Sequence, residues 1–302
     1  MWIREPGEVS DRIDFLGTFD VCLYLLKGKE AMIIGGGMSH IAPSLERQFR
    51  QTDFDLAKIK YLVIPHSHFD HCGAVPYLKR RFPRAEIVAS AHSKQVFSKE
   101  KAVNFIANAN REMLQKSGLQ DEYERLNLQF DGIQVDRVVG ENDIIDLGDG
   151  IEAHFIEVPG HSKCCIATYV PQLKAVFPSD AAPCPIQAEN GLSYPSAQYD
   201  FSLYVESLKK LTSYDVQICA FDHNGVLVGD QAERILQQGL DQTEKVKSYI
   251  IEQYQAIRDL DRTAAKVASE VLQKNRFDYI SPELMVAITK PMISSIIRQL
   301  PD

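Results

Sequence analysis

The stretch Pro65-His66-Ser67-His68-Phe69-Asp70-His71-Cys72-Gly73 follows directly on the short apolar run Tyr61-Leu-Val-Ile64. The apolar run reads as a buried strand. Side chains at alternate positions leave a strand on the same side, so the imidazoles of His66 and His68 point the same way. Asp70 and His71 fall where the chain turns into a helix carrying Val75 and Leu78. Four metal-capable side chains thus converge at the end of a sheet, and imidazole nitrogens with a carboxylate form a donor set suited to zinc, iron or manganese. The competing explanation is a polar loop that is rich in histidine by chance, but three of the chain's 8 histidines fall in this one loop.

Working outward, the first half of the chain alternates strand and helix signals. Asp20–Leu26 and Ala31–Ile34 pair around a turn at Lys27-Gly28-Lys29, and Gly35-Gly36-Gly37 closes the second strand before a helix from Ile41 to Phe49. The triple glycine resembles a phosphate cradle, yet no GxGxxG or GK[ST] pattern follows, and a tight turn is the reading adopted. Glu86–Ala89 is another strand. From about Ser93 to Leu119 the spacing of Val96, Phe97, Val103, Ile106, Met113 and Leu114 predicts helices, read as a cap inserted at about 93–130. Short strands return at 135–139, 143–147, 153–158, 166–170, 175–177 and 216–221, with a helix at 200–214.

Beyond residue 229 the pattern becomes wholly helical. Asp230 offers an acidic N-cap with Glu233 three residues on, and the stripe Ala232, Ile235, Leu236, Leu240, Val246, Ile250, Tyr254, Ile257 predicts a long amphipathic helix. Ser281-Pro282-Glu283 starts a last helix, with Ser281 as N-cap, and Pro291 is expected to kink it. The organisation expected is α+β, a β-rich sandwich flanked by helices over 1–228 followed by a helical extension over 229–302.

Further histidines and acids sit at strand ends: His161 in Val158-Pro-Gly-His-Ser162, Asp180 in Phe177-Pro-Ser-Asp-Ala181, and His223 in Phe221-Asp-His-Asn-Gly225. Together with the HxHxDH loop they resemble the full ligand set of the metallo-β-lactamase-fold hydrolases, over about residues 10–225. The resemblance implies an αββα sandwich with a site for two divalent ions, zinc or iron with manganese as a third option, at the edge between its sheets. It assigns His66, His68 and His161 to one ion and Asp70, His71 and His223 to the other, with Asp180 bridging. Asp70 and Asp180 would also orient the attacking water. Within the family, the length, the cap and the helical tail, with Asp278-Tyr-Ile-Ser-Pro-Glu-Leu284 opening its last helix, resemble the quinolone-signal response thioesterases. The usual Gly-His-Gly around the last histidine reads Asp222-His223-Asn224 here, which adds a carboxylate beside a ligand position.

Two such ions acidify a shared water and polarise a carbonyl or phosphoryl oxygen, which suits hydrolysis without an organic cofactor. The cap and the C-terminal residues Met285, Ile288, Met292 and Ile296 are expected to roof the site, favouring a small acyl ester or thioester. The alternatives are a phosphodiesterase or lactonase of the same fold, or a regulatory partner-binding protein whose metals are structural. Flavodiiron chemistry is disfavoured because that branch replaces the second motif histidine with Glu, whereas His68 stands here; a mononuclear sulfur dioxygenase stays open. Serine catalysis has no GxSxG elbow to rest on.

The remaining features read blandly. His40, His92 and His154 lack metal-like spacing. Lys79, Arg80, Arg81 and Arg84 read as a solvated helix face, with docking of a phosphorylated carrier as the alternative. Cys22, Cys72, Cys164, Cys165, Cys184 and Cys219 contain no CxxC pair and are expected to be reduced and packed. The chain has 33 Lys+Arg against 41 Asp+Glu, a net charge of −8, so a generally acidic surface argues against nucleic acid. No apolar run is long enough to span a bilayer, and the start lacks a secretory pattern, so no membrane and a cytoplasmic location are expected, disfavouring a secreted antibiotic-degrading enzyme. The long helix from Asp230 serves equally as a homodimer face or as an intramolecular roof.

Overall fold

The computed structural model describes residues 1–186, 191–274 and 281–300. In chain order these form β1 (Trp2–Ile3), β2 (Gly7–Ser10), β3 (Ile13–Gly17), β4 (Cys22–Lys27), β5 (Ala31–Ile34), α1 (Ala42–Gln51), β6 (Ile59–Val63), α2 (Phe69–Cys72), α3 (Val75–Arg81) and β7 (Glu86–Ser90). The cap follows as α4 (Ala91–Phe97), α5 (Glu100–Lys116) and α6 (Gln120–Arg125), leading to β8 (Arg137–Val139). Then come β9 (Ile144–Asp146), β10 (Glu152–Glu157), β11 (Ile166–Val170), β12 (Ala175–Phe177), α7 (Phe201–Leu211), β13 (Ile218–Ala220) and β14 (Val226–Val228). The tail is α8 (Asp230–Ile257), α9 (Leu260–Lys274) and α10 (Pro282–Ile297).

Among the described residues the strands form two seven-stranded mixed sheets, ordered β2-β3-β4-β5-β6-β7-β8 and β1-β14-β13-β12-β11-β10-β9. β5 to β8 run parallel, joined by helical crossovers, whereas β2 to β5 form an antiparallel meander. Their inner faces meet in a core containing Phe15, Tyr24, Phe155 and Phe177, each with at most 2% of its surface exposed. Large side chains so buried contribute about 1.5–3 kcal/mol each. A second cluster packs α1, α3 and α5 on the outer face of the first sheet, and a third packs α7 to α10 on the outer face of the other. β4 is therefore covered on both faces, which is why Cys-Leu-Tyr-Leu-Leu reads as a continuous apolar run rather than an alternating one.

The triple glycine is a turn, and it is also a close approach. A Cβ on Gly36 would stand 2.4 Å from the carbonyl oxygen of His71 and 2.5 Å from Val75. The amide of Gly73 donates to the carbonyl of Gly37 at 2.7 Å and that of Ala74 to Gly36 at 2.9 Å, so this loop clamps the short helix of the histidine motif.

Several expectations need correction. β1, β2, β3 and β14 carry too few apolar alternations to be read from sequence: Trp2–Ile3 has two residues, and Gly7–Ser10 is half exposed. The N-cap of α8 is Gly229 at φ +68°, not Asp230, which lies in the first turn without a capping bond. Ser281 does cap α10, accepting from the amide of Leu284, and the helix continues through Pro291 to Ile297. The stripe on α8 is buried within the chain from Ala232 to Ile250. Residues 278–280 of the segment Asp278–Leu284 lie outside the described residues.

Candidate metal centre

The histidine motif occupies the loop that leaves β6 and the first turn of α2. His161 lies in the turn after β10, Asp180 in a single helical turn after β12 (Ser179–Ala181), and His223 between β13 and β14. All seven predicted residues meet at one edge of the sandwich. The Nε2 of His161 lies 3.2 Å from His66 Nε2 and 2.8 Å from His68 Nδ1, forming one cluster. His71 Nε2 stands 3.2 Å from His223 Nε2 and 3.4 Å from Asp70 Oδ2, forming another. Asp180 lies between them: its Oδ2 is 3.3 Å from His161, 3.4 Å from His71 and 3.7 Å from His66, and its Oδ1 is 3.8 Å from His223. Ligands placed tetrahedrally at 2.0–2.1 Å around a zinc ion stand about 3.3 Å apart, so these separations fit the donor shell of a cation.

The outer ring nitrogens explain how the rings are held. His161 Nδ1 donates to the Ser196 carbonyl at 2.6 Å, and His223 Nδ1 donates to the Asp20 carbonyl. Since a carbonyl can only accept, both rings carry their proton on Nδ1 and turn the Nε2 lone pair inward. His66 Nδ1 meets the Ser179 hydroxyl at 3.1 Å, and His71 Nδ1 meets the carboxylate of Asp222 at 3.2 Å. The Asp222 carboxylate was visible in the sequence; Ser179, Ser196 and the Asp20 carbonyl were not, because contacts across distant loops leave no local pattern.

Electrostatics point the same way. Burial, reinforced by the neighbouring imidazoles, pushes His66 well below its ordinary pKa and His68 down to about 3. Burial also lowers His161. These rings are neutral, with lone pairs free for a cation. Burial works against the charges of Asp70 and Asp180, but His71 and its neighbours outweigh it and hold both carboxyls well below the usual range. Burial likewise opposes a charge on His71, yet Asp70 and Asp180 outweigh it and raise that ring well above its ordinary value. A proton there sits where positive charge is wanted, and a bound metal ion would displace it.

A cavity of about 470 Å3 opens above the cluster, with His68, Asp70, His161, Asp180, Asp222 and His223 in its floor. Val96, Ala102, Phe105 and Ile106 of the cap form one wall, and Val271, Leu284, Met285, Ile288 and Met292 of α9 and α10 form another. Of the C-terminal residues expected near the site, Met285, Ile288 and Met292 line this cavity, whereas Ile296 lies one turn past it and is fully buried in the cluster on the outer face of the sheet.

His154 on β10 pairs with Glu152 at 3.1 Å, His92 lies on α4, and His40 is half-buried in the turn before α1. Lys79, Arg80 and Arg81 engage Asp136, Asp131 and Glu46 away from the cavity. All six cysteines are free, and Cys72 is wholly buried with its Sγ toward the His68 carbonyl. Cys184 is the one that reaches the cavity wall.

With fold and site in view, a sequence model of the metallo-beta-lactamase superfamily matches residues 17–223, more than half of the chain. The chain belongs to this superfamily. It is 28% identical over 191 residues to the metallo-beta-lactamase fold-containing protein ST1585 of Sulfurisphaera tokodaii, covering 63% of this chain and 69% of that protein. Among solved structures, the family protein TTHA1429 of Thermus thermophilus superposes with a TM-score of 0.61 at 14% identity, over 95% of this chain and 92% of that one. The subclass B3 metallo-beta-lactamase BJP-1 of Bradyrhizobium japonicum gives 0.58 at 18% identity, over 84% and 96%. Similarities this distant define the fold: an α+β sandwich of two sheets between helices, in a superfamily made up mostly of metal-dependent hydrolases. Among the described residues, no helix is long and apolar enough to cross a membrane.

Proposed function

We propose that the protein is a hydrolase of small acyl esters or thioesters that works with two divalent ions. One observation carries this reading: two histidine-carboxylate clusters share Asp180 at the floor of a roofed cavity. His66, His68 and His161 would hold one ion, Asp70, His71 and His223 the other, and Asp180 both. Zinc, iron and manganese all suit such donors. Bound there, the ions supply a water acidified towards neutrality and a Lewis acid for the carbonyl oxygen.

The chain's own residues do the rest. Asp180 and Asp70, kept ionised by their histidine neighbours, fix the spacing of the two clusters and accept the proton-bearing side of the attacking water. The carbonyls of Ser196 and Asp20 keep the rings of His161 and His223 in one tautomer and one orientation. The apolar walls exclude bulk water from the reacting carbonyl. Support for thioesters among acyl substrates comes from the cap and helical tail, whose layout resembles the quinolone-signal response thioesterases.

The test is hydrolysis of acyl-CoA thioesters, simple esters and bis(p-nitrophenyl) phosphate by metal-loaded protein beside Asp180→Asn. Thioester or ester turnover that falls about a hundredfold or more in the variant supports the proposal. Phosphodiester turnover alone replaces it with phosphodiesterase action. No turnover at full metal occupancy moves the function to partner binding or to oxygen chemistry.

A further inference from the structure

The cavity says more about the acyl group than the donor set does. Its two walls come from the cap and the C-terminal tail, and both present mostly hydrocarbon: Val96, Phe105 and Ile106 on one side, Met285, Ile288 and Met292 on the other, where Thr289 adds a hydroxyl, while Ser193, Ser196 and Gln198 bring neutral polar groups to the remaining lining. Among the described residues lining it there is no lysine or arginine. Two of the chain's exposed large apolar side chains, Phe105 (61% exposed) and Leu284 (36%), belong to this cavity and stand on opposite walls. At the roughly 30 Å3 that a water-sized group occupies, the cavity admits on the order of ten non-hydrogen atoms with space left for a reacting water.

We infer that the substrate's acyl group is an uncharged hydrocarbon chain or ring of about six to ten carbons, seated between the cap and the last helix with its carbonyl on the histidine-carboxylate floor. This inference rests on the proposed hydrolase reading and narrows it. A carboxylate or phosphate at the far end of the acyl group would be taken from water into a hydrocarbon slot with no cation among the described lining residues, which costs far more than the chain gains. Each methylene that enters the slot strengthens binding by about 0.8 kcal/mol, or about fourfold.

The test separates pocket from reaction. Alkanehydroxamic acids from two to twelve carbons are titrated calorimetrically into the metal-loaded protein, alongside analogues bearing a terminal carboxylate. The expected result is a gain of about fourfold per methylene that levels off near ten carbons, and a loss of a hundredfold or more for the carboxylated analogue of equal length. Ile288→Trp should bring the plateau forward by several carbons. Phe105→Asp, at an exposed position that tolerates polarity, should weaken the longer chains selectively. Affinity that is flat with length, absent at every length, or indifferent to the terminal carboxylate overturns the inference. Turnover of acetyl and octanoyl thioesters and of the matching simple esters is measured in parallel. Length-dependent binding without turnover leaves the pocket assignment standing and removes the hydrolase reading. Turnover without length dependence does the reverse.

Discussion

Asp222 Oδ2 lies 3.2 Å from Nδ1 of His71, and both side chains are at least 96% buried. Of the rings in the centre, His66 is backed by a hydroxyl, and His161 and His223 by backbone carbonyls. His71 alone of these four has a carboxylate behind it. A carboxylate behind an imidazole makes its other nitrogen a stronger donor and brings a further negative charge to that cluster. Asp222→Asn keeps the shape and removes the charge. The expected outcome is a second metal equivalent bound about 10–100-fold more weakly, with the first unchanged, read by competition titration with a chromophoric chelator.

Loss of the metals should also be visible as loss of stability. Asp70, Asp180 and Asp222 gather at a floor that is mostly buried, and a proton on His71 is a poor substitute for a divalent ion. An ion present at about a thousand times its dissociation constant stabilises the fold by about 4 kcal/mol. Stripping the protein with a chelator should therefore lower Tm by on the order of 10 °C, and zinc should restore it. A thermal scan showing no difference would exclude binding of that strength.

How much of this was legible beforehand depended on how local each signal is. His66 to His71 sit in one loop, so their period and their turn could be read directly, and His161, Asp180 and His223 each sit at a recognisable strand end. The cap was legible through the apolar spacing of Val96 to Leu114. What escaped is what depends on tertiary contact. The strand Trp2–Ile3 exists because Val226–Leu227 pairs with it, not because two residues have a preference. Ile296 continues the apolar face of Met285, Ile288 and Met292, and sequence spacing alone does not show that the cavity ends one turn earlier.

His40 makes the acid limb of stability testable away from the metal ligands. Burial lowers its pKa from 6.5 to about 4, and its Nδ1 has no hydrogen-bond partner among the described residues. The unfolded chain therefore binds a proton that the folded chain refuses. This contribution is fully present above pH 6.5 and is lost progressively as pH falls from 6.5 to 4. In His40→Leu, urea denaturation should show a stability that falls less steeply over that window than wild type, by on the order of 2 kcal/mol at pH 4. Parallel curves for the two proteins would sink the assignment.

Gly160 controls how His161 enters the centre. It adopts φ +139°, and a Cβ there would stand 2.3 Å from both the amide nitrogen and the Cα of Tyr204 on α7. Backbone atoms cannot swing aside as a flexible side chain does, so the strand end or the helix must move. The same residue's carbonyl accepts from the amides of Tyr199 and Asp200, and the Ser207 hydroxyl donates to the neighbouring Pro159 carbonyl. A shift here is thus transmitted to Ser196, whose carbonyl holds His161 Nδ1. Gly160→Ala should cost about 2–4 kcal/mol in denaturant unfolding, combining steric strain with an unfavourable φ. It should also weaken the metal held by His66, His68 and His161 more than the one held by Asp70, His71 and His223, the opposite of the order expected for Asp222→Asn. Comparing stepwise metal affinities of the two variants in one titration series tests both assignments, and an equal loss at both steps in each variant would show that the two clusters do not bind independently.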